Sequence, residues 1–213
     1  MTRNELLERL AAARLYAILD AAYSDPARWP DLAAKIIRGG AGVIQVRAKK
    51  ASASQVLEWA QSIRNITREN KVPLIINDHP GIVRICDADG CHVGQDDLPL
   101  EQVRALIGPE KVAGKSTHSL EQALAAREDG ADYIGFGPIF ATPTKPDYAP
   151  IGAEIIRAMS GQISVPAFCI GGIKKENVAQ LKELGAQRVV IVSGLLQAGD
   201  PESYARDVLE RLK

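Results

Sequence analysis

The sequence contains no long hydrophobic run. Its longest uncharged apolar stretch falls far short of the ~20 residues that a membrane-spanning helix needs, so no membrane partner is expected. There is no excess charge of either sign either. Lys+Arg and Asp+Glu both number 26 in 213 residues, for a formal net charge of zero. That excludes a nucleic-acid protein whose affinity comes from overall positive charge, while leaving room for a local basic pocket that takes a small anion. Cysteine is scarce: Cys86, Cys91 and Cys169 are odd in number and none sits in a C-x-x-C pair, as expected of reduced core thiols in a cytoplasmic protein. The three histidines, His79, His92 and His118, lack a metal-site spacing such as H-E-x-x-H, so no zinc site is expected. The first ten residues carry Arg3, Glu5, Glu8 and Arg9, unlike the apolar core of a secretory leader.

What is present is an average globular composition, 46% apolar and 24% charged, long enough to bury a sizeable core without staples. No linker or low-complexity tract divides it, and residues 1–213 are expected to form one α/β domain. Four segments resemble one another: Gly40-Ala41-Gly42-Val43-Ile44, Asp87-Ala88-Asp89-Gly90-Cys91, Gly130-Ala131-Asp132-Tyr133-Ile134 and Gly185-Ala186-Gln187-Arg188-Val189. Each follows a helix-like stretch and precedes a short apolar run, and its Gly or Asp suits the left-handed turn that ends a helix. The alanines are spaced by 47, 43 and 55 residues, enough for two βα units each at ~24–30 residues per unit. Four repeats of two units make eight. The expectation is therefore a (β/α)8 barrel, with residues 2–11 as an extra N-terminal helix and an open doubly wound sheet as the alternative.

Apolar runs at 15–19, 43–46, 74–76, 90–93, 111–114, 133–136, 167–170 and 189–192 mark the strands. Several are nearly continuous in Val, Ile and Phe, as in parallel strands buried on both faces. Residues 55–68 place Val56, Trp59, Ala60, Ile63 and Ile66 on one helical side, and Ser119 begins another helix with Gln122 three residues on, a capping-box pattern.

In such a barrel the active site forms where strands end and βα loops begin. From strand two to strand eight, the polar residues sit there. Gln45, Arg47 and Lys49 alternate, so a carboxamide and two cations share one side, a set suited to a phosphoryl group. Asn77 and Asp78 follow strand three; Gly94, Gln95, Asp96 and Asp97 follow strand four. Asp78 and Asp97 can share a hard cation such as Mg²⁺ or can both be helix N-caps. Strand five ends at Lys115, Ser116, Thr117 and His118. Strand six leads into a long loop holding Thr142, Thr144 and Lys145. Gly171-Gly172 after strand seven and Val192-Ser193-Gly194 after strand eight allow backbone N–H groups to approach an anion, the usual phosphate position of the fold, or they are simply tight turns.

These residues carry a resemblance that runs from about Leu15 to Leu209. Gln45-Val46-Arg47-Ala48-Lys49, Asn77-Asp78, the stretch 88–97, Gly114 to Ser119, Gly137 to Lys145, Gly171-Gly172-Ile173 and Val192-Ser193 together resemble the thiamine-phosphate synthase family. Each motif is weakly specific, but seven in order at successive strand ends are strongly so. The departures are the run Asn77-Asp78-His79-Pro80-Gly81-Ile82-Val83, where the family commonly has Asn-Asp-x-x-Asp-Leu-Ala, and Lys115 where an aliphatic residue is usual. The resemblance implies an Mg²⁺-assisted transferase that joins two small anionic substrates, hydroxymethylpyrimidine diphosphate and hydroxyethylthiazole phosphate, into thiamine phosphate. It implies that Gln45, Arg47, Lys49, Asn77, Ser116 and Lys145 bind the pyrimidine diphosphate, with Arg47, Lys49, Ser116 and Lys145 acting in catalysis. It gives Asp78 and Asp97 to the metal, and Thr142, Thr144, Gly172, Val192 and Ser193 to the thiazole phosphate. A homo-oligomer is compatible with this reading. The alternatives are a related thiazole tautomerase, in which a histidine at the position of His118 moves protons, and a non-catalytic phosphate-binding barrel.

Overall fold

The structure, a computed structural model, describes residues 1–142, 149–159 and 161–213. Eight parallel strands follow one another in chain order around a closed ring. They are β1 Leu15–Asp20, β2 Val43–Arg47, β3 Leu74–Asn77, β4 Gly90–Val93, β5 Val112–Thr117, β6 Tyr133–Phe136, β7 Ala167–Cys169 and β8 Val189–Ile191. Tyr16 of β1 lies opposite Val43 on one side and Val190 on the other. That second pairing closes the barrel and sets aside the open sheet. The helices are α1 Arg3–Ala12, α2 Trp29–Arg38, α3 Ala53–Glu69, α4 Pro80–Ile85, α5 Leu100–Ile107, α6 Leu120–Glu128, α7 Ile155–Met159, α8 Val178–Glu183, α9 Ser193–Leu196 and α10 Pro201–Leu212.

Alternation along each strand divides the apolar side chains into two cores. Leu15, Ala17, Leu19, Ile44, Val46, Leu74 and Ile76 point outward against the helices. Tyr16, Ile18, Val43, Ile75, Val112, Tyr133, Phe168 and Val190 fill the interior. Both faces are buried, which is why the strands read as continuous apolar runs. α1 closes the end where the strands begin: its Leu6 and Leu10 join the interior cluster. A capping box between Thr2 and Glu5 starts that helix, and Arg3 reaches Asp132 at 2.5 Å. On the outer layer Trp29 of α2 and Trp59 of α3 meet edge to face, centroids 5.5 Å apart.

The four-fold echo is a helix stop. Gly40, Asp87, Gly130 and Gly185 all have positive φ, at 102°, 51°, 85° and 100°. The alanine after each donates its N–H to the carbonyl five residues back, to Ile36, Val83, Ala126 and Leu181. This ends α2, α4, α6 and α8 with a Schellman-type turn and buries each alanine just before β2, β4, β6 and β8. At α6, Ser119 Oγ accepts from Gln122 N at 3.1 Å, but the Gln122 side chain reaches His118 N instead of closing a capping box.

Candidate active site

The interior turns polar where the strands end, and a cavity of about 580 Å³ opens there. β2 turns Gln45 and Arg47 inward, and Lys49 follows on the same side; all three line the cavity. Arg47 does not stand alone. Its Nη1 pairs with Oδ2 of Asp20, its register partner on β1. Asp20 is buried, and its Oδ1 accepts from Ala22 N at 2.9 Å. Strand one contributed nothing to the sequence reading, because its apolar run stops at Leu19. The signal was the polar residue immediately following, in line with Arg47 on the next strand.

Lys49 Nζ lies 2.8 Å from Asp78 Oδ2. Asp78 sits at φ 61°, a left-handed conformation that Asp tolerates better than most side chains, with its N–H bonded to the carbonyl of His92 at 2.9 Å. Asp97 Oδ2 accepts from Gly94 N at 2.6 Å. A Cβ at position 94 would stand 2.8 Å from that same oxygen, so the turn needs glycine. The two carboxyls are close enough to shift each other's ionisation in opposite directions. Burial is the main cause that raises Asp78 above the usual carboxylate range; the Asp97 carboxylate adds to it and Lys49 opposes it. Burial also pushes Asp97 up, but the Gly94 N–H and the Asp78 side chain outweigh it, with Lys49 and Lys115 helping, so Asp97 ends below the usual range. Two neighbouring carboxylates of this kind are the hard oxygen donors that suit a divalent cation. The helix-cap alternative fails. α4 begins after His79 and α5 after Pro99, and neither start has a side-chain cap. Among the described residues no group of three or more His, Cys, Asp and Glu side chains gathers elsewhere as a metal cluster.

Asn77, the last residue of β3, and Ser116 on β5 line the same cavity. β5 runs through Thr117, three residues beyond the apolar run, because the barrel wall continues under the polar residues that face the site. His118 Nδ1 donates to the Gly137 carbonyl, tying the end of β5 to the turn after β6.

The loops after β6, β7 and β8 form the facing wall, with Thr142, Gly172, Val192 and Ser193 on the cavity. Gly171 and Gly172 have φ 97° and 63°. A Cβ on Gly172 would meet the Ala141 carbonyl and Phe140 Cβ at 2.7 Å, so only glycine lets these loops lie together. Phe140 N bonds to the Gly171 carbonyl at 3.0 Å. Lys174 and Gln197, neither singled out from the sequence, extend this wall. Thr144 and Lys145 lie outside the described residues.

Residues 15–195 match the family model described as thiamine monophosphate synthase. The chain belongs to that family. The thiamine-phosphate synthase of Chloroflexus aurantiacus is 45% identical over 196 residues, covering 92% of this chain and 90% of that protein. The thiamine-phosphate synthase of Shouchella clausii is 39% identical over 201 residues, covering 94% and 96%. The solved structure of thiamine phosphate pyrophosphorylase from Pyrococcus furiosus superposes with a TM-score of 0.83 at 30% identity, over 97% of each chain. Members of the family are transferases, and so is this enzyme.

Proposed function

We propose that the enzyme joins hydroxymethylpyrimidine diphosphate to hydroxyethylthiazole phosphate, forming thiamine phosphate and releasing diphosphate. One observation carries the reading: a wall of cations and paired carboxylates, Arg47, Lys49, Asp78 and Asp97, faces a glycine-lined wall at Gly171-Gly172 and Ser193 across one cavity. Two anions can be held there at once, one on each wall.

Gln45 and Asn77 orient the pyrimidine, while Arg47, Lys49, Ser116 and Lys145 take its diphosphate. Thr142, Thr144, Gly172, Val192 and Ser193 hold the thiazole phosphate. Asp78 and Asp97 offer hard oxygen ligands for Mg²⁺, which when bound stabilises charge on the leaving oxygen. The bond between the pyrimidine methylene carbon and the diphosphate oxygen breaks, and its electron pair leaves with the oxygen. The amino-substituted ring stabilises the resulting methylene cation. The thiazole nitrogen then adds its lone pair to that carbon. This nitrogen carries no proton, so no protein base is required. Arg47 is already aimed by Asp20 and meets the developing charge without reorganising. The remaining task of the protein is to align two substrates and exclude the water that would trap the cation.

The test is diphosphate release from purified enzyme, with each substrate alone and with both. Release that needs both substrates and Mg²⁺, and stops on chelation, is the expected result. Full turnover in excess chelator would remove the metal from the mechanism. No release, together with solvent-proton exchange on the thiazole phosphate, would make the enzyme a tautomerase.

A further inference from the structure

Gln45 and Ser116 stand on different strands, yet an unbroken hydrogen-bonded path joins them through the barrel interior. Gln45 Nε2 donates to Tyr16 Oη at 2.6 Å. Tyr16 Oη lies 3.2 Å from Tyr133 Oη, which lies 3.2 Å from His92 Nδ1. His92 Nε2 in turn lies 3.0 Å from Ser116 Oγ. Both phenols are buried, and Phe168 packs edge-on against their rings at 5.3 and 6.0 Å. Gly114 makes the room: a Cβ there would come within 2.2 Å of the Tyr133 ring. Packing alone would be met by phenylalanine at both positions, without two hydroxyls that need partners.

The path has a direction. An amide N–H can only donate, so the Tyr16 oxygen accepts from Gln45 and its own hydrogen goes to Tyr133. Tyr133 then donates to His92 Nδ1. An imidazole that accepts at Nδ1 carries its hydrogen on Nε2, which donates to Ser116 Oγ. With its oxygen already accepting, the Ser116 hydroxyl has its hydrogen left for whatever enters the cavity. Burial pushes both phenols upward, so each remains an O–H donor and the direction holds.

We propose that Tyr16, Tyr133 and His92 are positioning residues: a directional relay that fixes the Gln45 carboxamide and turns the Ser116 hydroxyl hydrogen toward the substrate, making Ser116 a donor to an anionic oxygen. The relay rests on the reading that Gln45 and Ser116 meet the two ends of the pyrimidine diphosphate. It gives one polar chain control over the ring and over the leaving group.

The first measurement needs no turnover. ¹⁵N spectra of histidine side chains separate the Nε2–H tautomer, the Nδ1–H tautomer and the imidazolium. The chain has three histidines, so comparison with His79→Gln and His118→Gln assigns His92. The Nε2–H tautomer at neutral pH is expected; either other form overturns the relay. The second measurement is kinetic. Tyr133→Phe keeps the ring and removes the link, and should lower kcat by about 3- to 30-fold with the KM for thiazole phosphate unchanged. Ser116→Ala should then cost far less in the Tyr133→Phe background than in wild type, because the serine is no longer oriented. Independent, multiplicative losses overturn the proposal. If Tyr133→Phe does not fold, Tyr16→Phe releases the Gln45 carboxamide instead. It should raise the KM for pyrimidine diphosphate and leave the cost of Ser116→Ala at its wild-type value, because Tyr133 still reaches His92; an unchanged KM overturns the proposal. A wild type that releases no diphosphate sinks the functional reading alone; the tautomer then decides the relay by itself.

Discussion

Asp20 and Arg47 face each other across the ends of β1 and β2, one charge nearly out of water and the other about to receive an anion. Removing the arginine therefore does two things. It takes a bidentate donor from the pyrimidine-diphosphate wall, and it leaves a buried carboxylate without its partner. Arg47→Ala should weaken pyrimidine-diphosphate binding by about 10- to 100-fold, leave thiazole-phosphate binding nearly unchanged, and lower the melting temperature. Ser193→Ala should do the reverse to the ligands and more mildly, because backbone N–H groups remain on its wall. Calorimetric titration of each ligand into each variant checks this. Equal losses for both ligands in both variants would contradict the two-wall assignment. Arg47 was visible in the sequence because Gln45, Arg47 and Lys49 alternate on one strand face. Asp20 was not, because a lone acid after an apolar run carries no partner until the strand register supplies one.

The elements were legible wherever burial and turn chemistry agree. The four Gly-Ala or Asp-Ala stops could be read because a positive φ and a buried alanine are both local demands. The strand ends were less legible. Lys115, Ser116 and Thr117 belong to β5 although two of them are only half-buried; Ser116 and Thr117 line the cavity, where the requirement is to face a ligand and not a core. α1 shows the opposite case, an element whose place depends on the far end of the barrel. Its Leu6 and Leu10 stopper the interior at the end where the strands begin, away from the cavity. Leu10→Ala should cost about 2–5 kcal/mol of stability and lower Tm by roughly 5–15 °C, while kcat at moderate temperature stays at the wild-type value. Thermal melts and diphosphate-release rates on the same preparation check it. A kcat loss without a Tm loss would mean that α1 reaches the site in a way its packing does not suggest.

At the scale of the molecule, the closed ring brings together what the chain keeps apart. Asp78 meets Asp97 across two strand ends, and Tyr16 meets Tyr133 at a separation of 117 residues. The first pair was within reach of the sequence, since neighbouring strands were already assigned. The tyrosine–histidine path was not, because Tyr16, Tyr133 and His92 occupy inward positions that read as ordinary core. The two tryptophans lie on the other layer. Trp29 and Trp59 pack against each other between α2 and α3, and neither lines the cavity. Their emission should therefore stay nearly constant as either ligand saturates the enzyme and shift to the red when urea separates the helices. A titration in which emission followed ligand binding would show that the α2–α3 layer moves with the site. Without such motion, the enzyme's intrinsic fluorescence gauges the integrity of its shell and is blind to the traffic through its mouth.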